Sequence, residues 1–183
     1  EGTATGGAWN LIWNGSSGTV LPGATNLFTG TDSSGASVSS PAFQVGDNVT
    51  IANAGTMNVS NNTTFGTLTV STPSGTNDFI GGNILASSLV KSGSGVLVLS
   101  NTNTFSAGTI SAGTVVADSA TALGSSAVTF SGGTLQVTNL AVTNLTSPFF
   151  VGSAGMRLSH GSALTLSGVI TGSNNVLTKD GAG

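Results

Sequence analysis

The chain has 183 residues, enough for one sizeable core, and 5 % of them are charged, against about 25 % in ordinary soluble domains. The net charge is −3, and Lys91, Arg157 and Lys179 are the whole basic complement, which excludes nucleic acid as a partner. No Cys is present, so disulfides and thiolate metal sites are excluded, and no apolar run nears the ~18 residues of a membrane span, so no membrane insertion by this chain is expected.

Mean hydropathy is +0.32 and there are 28 glycines, a composition that buries apolar surface between frequent turns rather than staying disordered. Residues 1–46 hold Trp9, Trp13, Pro22, Pro41 and a polar loop from Thr29 to Pro41, and read as irregular first coils or an aromatic cap. From Asp47 on, alternation takes over. Val49-Thr50-Ile51, Met57-Asn58-Val59 and Leu68-Thr69-Val70 each put two apolar side chains on one face, the signature of a half-buried strand. The same alternation returns at Val128–Phe130, Leu135–Val137, Leu140–Val142 and Leu164–Leu166. Helix formers are scarce and Gly, Asn and Ser fill the gaps, as turns require.

A sandwich would need hairpin turns, but the Asn-Gly and Asp-Gly pairs, at Asn14-Gly15 and Asp180-Gly181, do not lie between clean alternating runs. Very short strands with a turn at every corner fit a parallel β-solenoid (β-helix) instead, with three strands per coil of about 20–25 residues. Residues 47–183 are then one continuous domain, with Leu97, Leu99, Val115, Phe130, Leu135, Val137, Leu164 and Leu166 pointing inward.

One stretch is more specific. Leu89, Lys91, Gly93, Gly95, Leu97 and Leu99 are followed by Asn103-Thr104-Phe105, Gly108-Thr109-Ile110 and Gly113-Thr114-Val115. This resembles the autotransporter-associated β-strand repeat of secreted bacterial passenger proteins. Ser100 stands where that pattern usually has Gly, and Ala107–Ile110 is one residue short of it. Leu177-x-Lys179-x-Gly181-x-Gly183 restarts the motif 88 positions later (179 − 91). The resemblance implies a right-handed parallel β-helix, export, and an extracellular or bacterial cell-surface position. It implies no particular activity, because passengers of this fold serve as adhesins, enzymes and fibres.

Chemistry has little to work with. A glycosidase needs two carboxylates about 5–10 Å apart. The acids Glu1, Asp32, Asp47, Asp78, Asp118 and Asp180 are scattered along the chain. A carbohydrate-active enzyme therefore stands as an alternative, behind an adhesive segment that binds glycans or a host surface. Arg157 and His160 would face opposite ways on a strand, and a solvated loop is the expected setting. No catalytic residue, metal site or cofactor is expected. Asn101, Asn103 and Asn144 are placed to stack on neighbouring coils and satisfy turn backbone.

Self-association is the leading expectation, since a surface this poor in charge repels its copies weakly. Val176, Leu177 and Lys179 open a coil whose apolar half does not follow in the chain, and Trp9, Leu11, Ile12 and Trp13 in "AWNLIW" are expected to complete it in a second copy. Such head-to-tail contact builds a filament or layer. Val96 and Val98, beside inward Leu97 and Leu99, and one ring of the Phe149-Phe150 pair should form outward apolar patches.

Overall fold

The structure is a computed structural model that describes residues 8–15, 18–38, 40–172 and 175–182. Among them there is no helix, and the chain winds as a parallel β-solenoid. One long sheet stacks Asn10–Trp13, Asn48–Ile51, Thr63–Val70, Ile84–Lys91, Gly108–Ile110, Val128–Phe130, Phe149–Val151 and Ile170–Thr171 in parallel. The other stacks Thr19–Val20, Gly55–Val59, Thr76–Gly81, Val96–Leu99, Thr114–Ala117, Thr134–Val137, Met156–His160 and Leu177–Asp180, also in parallel.

A third side carries the short pair Asn144–Leu145 and Thr165–Leu166. Earlier rungs run that side into the first sheet, which is why Thr63–Val70 and Ile84–Lys91 are 8 residues long, with Thr104–Phe105 paired on Leu85 and Ala86. Past the first rung, hydrogen-bonded positions on neighbouring rungs lie 18 to 24 residues apart, the reach of one coil, while the hairpin inserted after the first rung widens that step to 38 between Asn10 and Asn48.

Alternation makes the core. In each rung the inward residues of the two sheets meet face to face and stack on their counterparts above and below. Leu97 sits under Val115, which sits under Leu135 and then Leu158, and all four are buried. Ile110, Phe130 and Val151 form a second column. The Phe130 and Phe149 rings meet edge to face at 5.9 Å, an arrangement the aromatic quadrupole favours. Of the expected core, Leu97, Leu99, Val115, Phe130, Leu135 and Val137 are buried, while Leu164 and Leu166 are half-buried because the core thins toward the last rung. Leu140–Val142 is not a strand. It turns the chain, with Leu140 in solvent and Val142 tucked in.

The corner joining the two long sheets is a column of backbone hydrogen bonds. Val96 N–H donates to Gly75 O (2.8 Å), Thr114 N–H to Gly95 O (3.3 Å), Thr134 N–H to Gly113 O (2.9 Å) and Arg157 N–H to Gly133 O (3.3 Å). Each rung thereby fixes the next at the point where the chain bends most.

Strands of both sheets lie among the described residues of the first 46. Asn10–Trp13 and Thr19–Val20 already form a rung of both sheets, with Leu11, Trp13 and Val20 buried. A hairpin of Phe28–Thr31 and Ser37–Val38 then adds antiparallel to the outer edge of Asn10–Trp13. Phe28 and Phe43 close the core end, with ring centroids 5.9 Å apart, and Phe43 lies 5.3 Å from Phe65 below. Covering an open sheet edge in this way removes a template for stray pairing.

Candidate functional site

The residues expected to mediate association fall into three places. At the first end, Leu11 and Trp13 point into the core, Trp9 packs half-buried against it, and Ile12 faces solvent at 46 % exposure. The strand carrying them is paired on both edges, to Asn48–Ile51 and to Phe28–Thr31. The backbone of Asn10–Trp13, expected from the sequence to complete the coil of a second copy, is thus engaged on both edges within its own chain. The hairpin signal lay in the polar loop. Asp32 accepts hydrogen bonds from Ser34 N–H (2.8 Å), Ser34 Oγ–H (2.6 Å) and Ala36 N–H (3.0 Å), which folds that loop into a turn.

On the flank, Val96 and Val98 stand on the outer face of the second sheet, half-buried by their neighbours across the ladder. Phe149 is buried and Phe150 exposed, so the paired rings split between the two faces as the strand period requires.

At the last rung, Leu177–Asp180 pairs with Met156–His160 along one edge and is the outermost strand of its sheet, as Ile170–Thr171 is of the other. Leu177 and Lys179 register with buried Met156 and Leu158, so they continue the inward face. Val176 is 67 % and Leu177 43 % exposed. Arg157 and Asp180 face outward beside them and pair at 2.6 Å. A cavity of about 270 Å³ opens here, lined by Arg157, Val176, Thr178 and the Gly133 and Gly155 turns.

Arg157 and His160 sit on a strand, not in the solvated loop the sequence suggested. They do face opposite ways, Arg157 out and His160 in, where Nδ1 meets Val137 O (2.9 Å) and Nε2 meets Ser162 Oγ (2.9 Å). Glu1 lies outside the described residues, and of the other acids Asp47 and Asp118 hold backbone of neighbouring rungs. Asp47 accepts Trp9 N–H and Gln44 N–H, both at 2.8 Å, which ties the first rung to the turn below it. Asp118 accepts Thr138 N–H and Asn139 N–H (both 2.9 Å) one rung on. Among the described residues no three His, Asp or Glu side chains gather as a metal-binding group.

The asparagines also act across rungs, in part at other positions than expected. Asn103 is buried, accepts Ile84 N–H (2.9 Å) and donates to Ala122 O (2.8 Å), so one amide joins three rungs. Asn101 donates to Gly82 O (2.8 Å). Asn144 does not act this way, and its Oδ1 is buried without a partner. Asn-on-Asn contacts form instead at Asn83–Asn62 and Asn48–Asn10, each 3.0 Å.

Sequence reasoning missed the role of one side chain. Lys91 lies two positions from Leu89 on the inward face, wholly buried, between Val70 and Ile110 of the adjacent rungs. Its Nζ donates to Gly93 O in its own turn and to Ala112 O (3.4 Å) in the next. Burial pushes its ammonium below the usual lysine value, since a charge is costly to hold away from water. Lys179 lies exposed, bonding Asp180 O (2.7 Å), Gly181 O (3.1 Å) and His160 O (3.4 Å). Trypsin added to the native protein is therefore expected to cut after Lys179 and leave the bond after Lys91 intact, because cleavage there needs a rung paired on both sides to open. Cleavage at both lysines at similar rates, read by mass spectrometry over a time course, would contradict this packing.

A charge-poor parallel solenoid, held at its corners by glycine turns and asparagine amides, defines the chain as an elongated scaffold of β-helical type. Residues 89–117 match the family described as passenger-associated-transport-repeat, and the solenoid accords with the repeats of autotransporter passengers. No curated protein and no solved structure matches the chain.

Proposed function

We propose that this chain is a non-enzymatic structural segment of a secreted or surface-displayed passenger, and that it associates with a second copy through its last rung. The passenger-type repeat at 89–117 supports the setting. The observation that carries the association is the exposed apolar cluster of Val169, Ile170, Val176 and Leu177, beside half-buried Leu164 and Leu166. Exposed apolar surface of this kind marks a contact site.

The hairpin over the first rung changes the geometry expected from the sequence. Head-to-tail growth would set Ile170–Thr171 against an edge already extended by Phe28–Thr31 and Ser37–Val38. Two copies meeting last rung to last rung avoid that obstruction, and such a contact is isologous and closes at a dimer. Analytical ultracentrifugation and electron microscopy of the purified chain separate these outcomes. A dimer is expected, converted to folded monomer by Val176→Asp with Leu177→Asp. Filaments in the micrographs would restore head-to-tail growth. A wild-type monomer at high concentration, or a dimer indifferent to both substitutions, would reject the last rung as the joint.

A further inference from the structure

We propose that Lys91 is a cationic staple inside the solenoid: its ammonium takes the carbonyl of its own corner and the carbonyl of the next rung's corner, and so sets the bend between the two long sheets. The inference is independent of the association proposed above. It starts from an anomaly. The inward column at this position is otherwise apolar, with Val70 below and Ile110 above, and a charge there is expensive unless something holds it. What holds it is backbone. Gly93 O belongs to the turn that follows Lys91, and Ala112 O to the turn that follows Ile110, 21 residues further on.

Those two turns flank the glycine column of the corner. Gly95 N–H bonds Thr72 O (3.0 Å) from the rung below, and Thr114 N–H bonds Gly95 O (3.3 Å) from the rung above. The ammonium therefore links two successive corners, with apolar walls and carbonyl oxygens at its tip. The next corner is shaped around it, since a Cβ on Gly113 would meet the Lys91 Nζ as well as the carbonyl oxygens of Gly93 and Gly95.

Lys179 shows that the local half of the device is carried by the short motif itself. Lys179 bonds the carbonyl two residues on, Gly181 O, as Lys91 bonds Gly93 O. It does so from the other sheet, and of its two other contacts one is to the adjacent Asp180 O and one reaches back to His160 O, with none forward to a following turn. Lys-x-Gly thus folds its side chain over whichever corner follows it, and the forward bond is what turns the motif into a link between rungs.

Hydrogen exchange on Lys91→Met and Lys179→Met tests this. Met keeps the length and removes the donor. In Lys91→Met, protection of the Gly95 and Thr114 amides is expected to fall roughly ten- to a hundredfold, the range for a lost hydrogen bond from a charged group. In Lys179→Met those amides should not change. Unaltered protection in Lys91→Met would overturn the proposal, because a lysine merely tolerated in the core would leave the corner as it was. If Lys91→Met does not fold, the wild-type protein decides alone by nitrogen-resolved NMR of its lysine ammonium protons. Slow exchange for Lys91 and fast exchange for Lys179 is the expected result. Equal, fast exchange for both would show that no staple exists.

Discussion

Gly113→Ala is expected to destabilise the solenoid by roughly 2–5 kcal/mol, combining about 1–2 for a left-handed backbone that a Cβ disfavours with about 1–3 for forcing atoms into a filled space. Gly113 has φ +74 and follows Ala112 in the corner between the two sheets. Its own carbonyl accepts Thr134 N–H from the next rung at 2.9 Å, so the residue cannot move away from the collision without loosening that bond. The neighbours a Cβ would meet are two backbone oxygens and the buried end of Lys91, none of them a side-chain tip that can swing clear. The contrast is Gly35, also at positive φ (+86) but with nothing within 4 Å of its Cβ, where Ala should bear the conformational cost of about 1–2 kcal/mol and nothing more. Urea unfolding of the two variants gives the comparison. Equal losses would show that the Gly113 corner has slack that these distances deny.

The fold was legible because the side-chain period of a strand survives even when the strand is three residues long. Val128-Thr129-Phe130 and Leu135-Gln136-Val137 announce which residues go in, and both are buried at their outer positions and not at the middle one. Leu140-Ala141-Val142 has the same pattern and forms a turn. Asn139 explains it: its side chain accepts Ala141 N–H (3.0 Å) and its carbonyl accepts Val142 N–H (3.0 Å), a local bond that outcompetes the ladder. Rung register was not legible. The motif at Leu89 and its restart at Leu177 match at the Leu, the Lys and both Gly positions, yet one ends a strand of the first sheet and the other lies in the second. Corners differ in length from rung to rung, so spacing along the chain does not map onto position around the coil.

The proposed contact residues were legible only in part. The inward register of Leu177 and Lys179 could be read from a motif that restarts, because they alternate like their counterparts. The first end could not, because covering it depends on a hairpin formed by residues some twenty positions away, and Asn10-Leu11-Ile12-Trp13 looks the same with or without it. The inward lysine was visible as a residue two positions from Leu89. Its function was not, since the acceptors are backbone carbonyls, which a sequence does not distinguish.

Aspartate placed at Leu11 and at Ile12, one at a time, should separate the covered end from a joint. The two residues are adjacent on Asn10–Trp13 but differ in setting: Leu11 is 1 % exposed and Ile12 46 %. Leu11 packs over Val49 on one side and lies beside Gly30 of the hairpin on the other, so Leu11→Asp loses the leucine's burial and brings an unpaired carboxylate into an apolar site. Losses of roughly 4–5 kcal/mol accompany such changes. Each rung leans chiefly on its neighbours, so the damage should concentrate in the first rung and its hairpin, with exchange protection lost at Asn48–Ile51 before it is lost at Leu97 or Leu135. Ile12→Asp faces solvent beside Thr50 and Thr29, and should change stability by no more than about 0.5 kcal/mol. It is therefore the variant that questions the surface without disturbing the fold. If the covered first end takes no part in association, Ile12→Asp should leave the sedimentation behaviour of the wild type unchanged, while Leu177→Asp in the exposed apolar cluster alters it. Loss of association in folded Ile12→Asp would place the joint at the hairpin end, and the tail-to-tail contact would have to be abandoned.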